Sequence, residues 1–238
     1  MFVDQYYTCH EENFYFPKHK SSAFAKQIAK DFNPLHDVKN RRFCVPGDLI
    51  FSAILSKFGA NKEMTFDFKR MINGIEALNV VSSNESISVK NIQNEEMISI
   101  HRGGEITHDK VFINGFIRSY VEFSGKMFPE VILNAMKKSG VMPSLKRPLI
   151  IYVKMSFSLN VFSSNRPQVM LRETVFEKLG RKGVMSLYFD VWVNGEIIGF
   201  GEKKIFIGSV CPCDPSALQV YINSYNARNN ICPLRAEY

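Results

Sequence analysis

Apolar residues along this chain recur first at helical spacing and then at strand spacing, and the switch from one to the other happens twice. In residues 21–32, SSAFAKQIAKDF, Phe24, Ile28 and Phe32 lie four apart. That spacing predicts a short helix with Lys26 and Lys30 facing water, capped by Ser21 or Ser22 and stopped near Asp31 or Phe32 by Pro34. Residues 43–59, FCVPGDLIFSAILSKFG, predict a second helix, started by Pro46 and Gly47 with Asp48 at its positive end and stopped at Gly59. Only Ser52, Ser56 and Lys57 interrupt its apolar run, so it has to be wrapped by other structure. Strand-like runs follow at 64–68, 77–81, 86–92 and 97–101. The cycle then repeats: a helical pattern over 119–140 containing Pro129, then strands at 149–162, 168–179, 184–193 and 197–207. Asn194-Gly195 marks a hairpin between the last two. A terminal helix over 214–225 follows, capped by Asp214 with Pro215 in its first turn, and 226–238 read as irregular.

Helix then antiparallel meander, twice, is not the alternation of a doubly wound parallel sheet. It predicts an α+β protein made of a duplicated domain: one repeat over 1–118, a second over 119–210, and a helix and tail over 211–238.

Composition narrows the class. The 238 residues are 45% hydrophobic and 22% charged, as in ordinary globular proteins. No apolar run nears the roughly 20 residues of a membrane span, and the N-terminus lacks the pattern of a secretory signal. The reading is a cytoplasmic protein with no membrane span. Net charge is +7, from 30 basic and 23 acidic residues, which favours anionic ligands. The basic groups at 18–20, 39–42 and 145–147 are scattered, so nucleic acid is not the expected partner; steep salt dependence of binding would be the mark of RNA. Cys9, Cys44, Cys211, Cys213 and Cys232 have no disulfide-framework spacing, and the CPC at 211–213 lacks a second pair to complete a zinc site. Reduced thiols and no metal are expected.

Candidate chemistry sits at the end of the first helix. DFNPLH, residues 31–36, gathers a carboxylate, an amide and an imidazole around a proline. Read as residues alone, Asp31 ends a helix and Asn33-Pro34 makes a turn, or Asp31, Asn33 and His36 hold a water molecule. The segment together with the Gly-led apolar helix that follows it, FDFKRMINGIEAL (66–78), and the run from SFSLNVF through WVNGEIIGFGEKKIFI resemble the MaoC-like, (R)-specific enoyl-CoA hydratases. The whole chain also resembles a family of uncharacterised proteobacterial proteins of that class.

The resemblance implies a tandem hot-dog, each half a long helix wrapped by a curled antiparallel sheet, with the hexapeptide only in the first half. It implies hydration or dehydration of a trans-2-enoyl thioester of coenzyme A or of an acyl-carrier protein. No cofactor is needed beyond the coenzyme A of the substrate. Asp31 and His36 would be the acid–base pair, Asn33 would orient the water or the loop, and the Gly47 N–H would stabilise the enolate oxygen. Ser52 would line the pocket or bond back to its helix, and Lys39, Arg41 and Arg42 would meet the phosphates. The assembly would be a monomeric double hot-dog or a homodimer. Three positions depart from the family pattern: Asp37 directly follows His36 with Val38 beyond it, Pro46 precedes Gly47, and Asp48 follows it. A carboxylate at Asp48 would weaken stabilisation of a developing negative charge. An acyl-binding module without catalysis, and a thioesterase, are the alternatives.

Overall fold

The computed structural model describes residues 1–146, 148–163 and 165–231; Arg147 and Cys232, both noted in the sequence, lie outside them. A short hairpin, β1 (Thr8–His10) and β2 (Asn13–Tyr15), precedes α1 (Lys18–Ala23). That helix starts three residues ahead of its pattern, because Pro17 supplies the fixed backbone for an N-terminus, and Ser21 and Ser22 end up inside it, buried. It continues in wide π turns over Phe24–Ala29, with the Lys30 N–H reaching back to Ala25 O, and stops where Lys30 takes the left-handed conformation at φ 56°. Lys26 meets Asp37 at 2.6 Å.

Another helix meets the chain at this early stop. A Cβ on Gly125 would land on the Ala29 carbonyl, so the two backbones touch directly.

Helix α2 (Gly47–Phe58) is buried from Asp48 through Leu55, as a helix apolar on nearly all sides requires. Around it curl β3 (Ala60–Phe68), β4 (Leu78–Ser82), β5 (Ser86–Lys90) and β6 (Glu96–Thr107). The second long helix, α3 (Lys110–Lys126), begins nine residues ahead of its pattern and runs through the position where the sequence divides the repeats. Asp109 caps it by accepting the Val111 N–H at 2.8 Å. Asn114-Gly115 lies inside it, where Gly115 leaves room for Arg166 and Pro167 to pack against the helix. Pro129 then separates α3 from α4 (Glu130–Lys138).

After β7 (Val141–Pro143) come β8 (Ile150–Leu159), β9 (Gln168–Leu179), β10 (Lys182–Val193) and β11 (Glu196–Ile207), then β12 (Val210–Pro212), which pairs with β7, and α5 (Pro215–Ile231). The hairpin at Asn194-Gly195 has both residues at positive φ, 52° and 84°. Helix α5 is capped by Asp214, which accepts from Ser216 and Ala217, and extends through residues that read as irregular.

The strands form one antiparallel sheet in the order β1-β2-β4-β5-β6-β3-β8-β11-β10-β9. Its two halves join where β3 pairs β8, from Glu63 opposite Ser158 to Asp67 opposite Lys154. The fold is a double hot-dog in which both central helices share the concave side. Phe51 of α2 marks the seam: its ring meets Phe66, Phe116, Tyr120 and Phe157, with centroids 4.6–6.4 Å away. No helix among the described residues is long and apolar enough to cross a membrane.

Gly125→Ala is expected to destabilise the protein by about 1–3 kcal/mol through overpacking, although alanine favours a helix elsewhere. Urea unfolding checks this; an unchanged midpoint would mean that α1 and α3 do not need their close approach.

Candidate active site

The left-handed Lys30 turns the chain out of its helix and Asn33 stops it from re-forming one. The Asn33 side chain accepts the Leu35 N–H at 3.1 Å, capping a single 3-10 turn over Pro34–His36, while its amide N–H donates to Ile150 O at 3.3 Å. Both ends of that amide are thus occupied in holding the loop to itself and to β8. His36 is buried, and its Nδ1 lies 2.7 Å from Cys44 O. The Cys44 N–H in turn donates to Leu35 O at 2.8 Å, so the loop over 37–43 is closed at its base.

The other ring nitrogen, Nε2, faces Asp31 Oδ2 at 3.3 Å, slightly long for a hydrogen bond in a resting site. Asp31 Oδ1 accepts the Asn33 N–H at 2.8 Å and the Tyr225 hydroxyl at 3.3 Å; that hydroxyl also accepts the Phe32 N–H at 2.9 Å. Burial pushes the Asp31 carboxyl up, but its contact with His36 outweighs this and holds it below 3.8. Burial pulls His36 down, but Asp31, the Cys44 carbonyl and the Asp48 charge hold it above 6.5. Both His36 ring nitrogens face oxygen acceptors, Cys44 O and Asp31 Oδ2, an arrangement that favours the charged form of each partner.

Gly47 opens α2 with the Tyr152 ring packed so closely on it that a Cβ would run into Cδ1. Its N–H meets no acceptor among the described residues. The Asp48 carboxylate, the departure that would oppose a developing negative charge, is itself balanced. Lys203 of β11 donates to its Oδ1 at 3.1 Å and Ser124 of α3 donates to its Oδ2 at 2.5 Å, with Lys203 also on the Ser124 hydroxyl. The Lys203 and Asp48 side chains are only 7% and 9% exposed. The Lys203 ammonium lies 3.9 Å from the Tyr152 ring centre, and the Tyr120 and Tyr152 hydroxyls are 2.6 Å apart.

Asp31, Asn33, His36, Gly47, Asp48, Tyr152, Lys203 and Tyr225 all line one cavity of about 460 Å³, whose apolar wall includes Ile50, Ile72, Ile132 and Ile150. Of the candidates for phosphate contact, Arg42 is at this cavity, while Lys39 and Arg41 are exposed outside its lining. Lys69 and Arg70 join Arg42 there, paired with Glu96 and Glu95. Ser52 is not on the wall: it is fully buried and its hydroxyl donates to Asp48 O at 2.6 Å, one helical turn back.

Lys203, Ser124, Tyr120, Tyr152 and Tyr225 did not emerge from the sequence. A signal existed for Lys203: in a period-two strand it shares a face with Gly201, Ile205 and Ile207, all buried. An inward lysine requires a carboxylate partner.

The model of the family described as "Protein of unknown function (DUF3581)" matches residues 1–215, and the chain belongs to that family. No curated protein matches it. Among solved structures, the chain is similar to a conserved protein of unknown function with a hot-dog fold from Alicyclobacillus acidocaldarius, with TM-score 0.49 and 10% identity over 88% of this chain and 98% of that one. It is similar to a putative thioesterase II from Thermobifida fusca YX, with TM-score 0.47 and 8% identity over 87% and 97%. It is also similar to a MaoC-like dehydratase, with TM-score 0.44 and 9% identity over 86% and 99%.

Two outcomes test the electrostatics. In histidine NMR titration, His36 is expected to titrate above 6.5 in the wild type and lower in Asp31→Asn, which loses the largest contact opposing burial. The pair's contribution to stability is full between the ordinary values of 3.8 and 6.5; it is lost as pH rises through the raised His36 pKa or falls through the lowered Asp31 pKa. A His36 midpoint unmoved by Asp31→Asn would refute the ion pair. Lys203→Met is expected to cost about 3–5 kcal/mol in chemical unfolding by stranding the Asp48 charge, and adding Asp48→Asn should recover most of it. No recovery in the double variant would count against the charge balance.

Proposed function

We propose that this member of the DUF3581 family acts on acyl thioesters, adding water to a trans-2-enoyl thioester or removing it from the (R)-3-hydroxy product. The observation that carries this reading is a carboxylate and a buried imidazole, Asp31 and His36, 3.3 Å apart on the wall of a mainly apolar cavity that also holds the N-terminus of a buried helix.

In hydration, the Asp31 carboxylate takes a proton from water as the water oxygen bonds to the β-carbon. The C=C electrons move toward the thioester, whose oxygen becomes an enolate near the Gly47 N–H. The His36 imidazolium then gives its Nε2 proton to the α-carbon and the enolate collapses to the carbonyl. Transfer of the captured proton from Asp31 Oδ2 to His36 Nε2 across their contact restores the starting pair. Asn33 supports the reaction by holding the loop, since both ends of its amide are engaged. The thioester is carried by coenzyme A or an acyl-carrier protein, with Arg42, Lys69 and Arg70 facing its phosphate-bearing end.

The test follows loss of enoyl-thioester absorbance over a panel of trans-2-enoyl-CoA chain lengths. Wild type is expected to turn over part of the panel to an (R)-3-hydroxy product, and Asp31→Asn to lose at least about 100-fold. Tight acyl-CoA binding by both proteins without turnover would replace this reading with a binding module; release of free thiol would replace it with a thioesterase.

A further inference from the structure

The Tyr152 hydroxyl has a proton that the protein itself does not use. Tyr120 is fully buried and takes no part in lining the cavity; its hydroxyl meets Tyr152 Oη at 2.6 Å and no other partner among the described residues. Two hydroxyls in contact hold two protons but share one hydrogen bond. If Tyr152 donated, the Tyr120 proton would be sealed in the core without an acceptor, a cost of about 1–3 kcal/mol. Tyr120 therefore donates and Tyr152 accepts, leaving the Tyr152 O–H for the cavity that Tyr152 lines.

That donor is held rigidly. The Tyr152 ring packs on Phe68 with centroids 4.5 Å apart, touches Gly47 at the start of α2, and carries the Lys203 ammonium over one face. A cation on the ring face draws electron density from the ring and makes the hydroxyl a stronger donor. Acceptance of the Tyr120 bond polarises it in the same direction. Burial pushes both phenols well above 10, so Tyr152 donates a hydrogen bond without losing its proton.

We propose that the Tyr152 hydroxyl is a second donor to the ligand's thioester oxygen, beside the Gly47 N–H, with Tyr120 as its positioning residue. This rests on the acyl-thioester reading above and deepens it. The oxyanion site is then composite. Its main-chain donor comes from the first half of the chain and its phenol from the second. The Lys203 ammonium beside the phenol supplies positive charge that offsets Asp48.

Tyr152→Phe keeps the ring, its contact with Gly47 and the cation above it, and removes one hydroxyl. It is expected to lower kcat about 100-fold, the scale of a single oxyanion donor, with little change in KM. A spectroscopic readout separates this from turnover: the carbonyl stretch of a bound saturated acyl-CoA, isotope-labelled at C1, should lie at lower frequency in the wild type and rise in Tyr152→Phe. Tyr120→Phe leaves the Tyr152 donor in place but removes the bond that orients and polarises it, so it should lose less activity than Tyr152→Phe and raise the carbonyl stretch only part of the way. Equal losses in the two variants with no change in carbonyl frequency would overturn the proposal and leave a structural hydroxyl pair. A lowered stretch that rises in Tyr152→Phe, in a protein that hydrates no enoyl thioester, would uphold the donor while the hydration reading fails.

Discussion

A lysine on the inner face of a sheet cannot stand alone, and the rest of this site depends on how Lys203 is answered. Its partner, Asp48, sits at the first turn of a buried helix that belongs to the other half of the chain, and Ser124 from a third element completes the contact. An isolated charge at that depth would cost several kcal/mol, so the pair locks the relative position of α2, α3 and β11. The lock also sets the field in the cavity. Negative charge at the helix start would oppose an incoming oxyanion; balanced by an ammonium, it leaves the helix N-terminus free to act as a positive pole.

The contact between Asp31 and His36 is fixed by backbone rather than by side-chain packing. Gly125 lets α3 reach the Ala29 carbonyl, the helix ends in wide turns, and left-handed Lys30 redirects the chain. From there every polar group of the hexapeptide is committed: Asn33 to Leu35 and Ile150, His36 to Cys44, and Asp31 to Asn33 and Tyr225. What remains unspent is the face where Asp31 Oδ2 meets His36 Nε2. Loops normally carry mobility along with function; this one is tied at nearly every residue, which holds Asp31 and His36 in one geometry.

How much of this could be read beforehand follows from the kind of interaction. The buried central helix was legible because eight consecutive residues of it, Asp48 through Leu55, face protein, and so were the hairpin at Asn194-Gly195 and the doubling of helix and meander. The start of α3 was not: its first turns precede the apolar pattern and include Gly115, a poor helix former held in place against Pro167. The nearness of Asp31 and His36 is local, set within six residues, and the sequence exposes it. The opposite wall joins residues more than seventy positions apart: Asp48 with Ser124, and Asp48 with Lys203. No local pattern encodes such pairing. For the same reason Tyr225, from the last helix, closes on Asp31 without any hint in its own neighbourhood.

The continuous sheet across β3 and β8 has a consequence for how the chain could change over time. Two identical subunits meeting at such a seam must alter both walls of every pocket whenever one residue changes. Fusion into a single polypeptide removes that symmetry. In this chain the first half carries the DFNPLH hexapeptide, and the second supplies an inward lysine and a tyrosine to the same cavity. An asymmetric pocket of this kind is inherited with one polypeptide, where two identical subunits could not carry it.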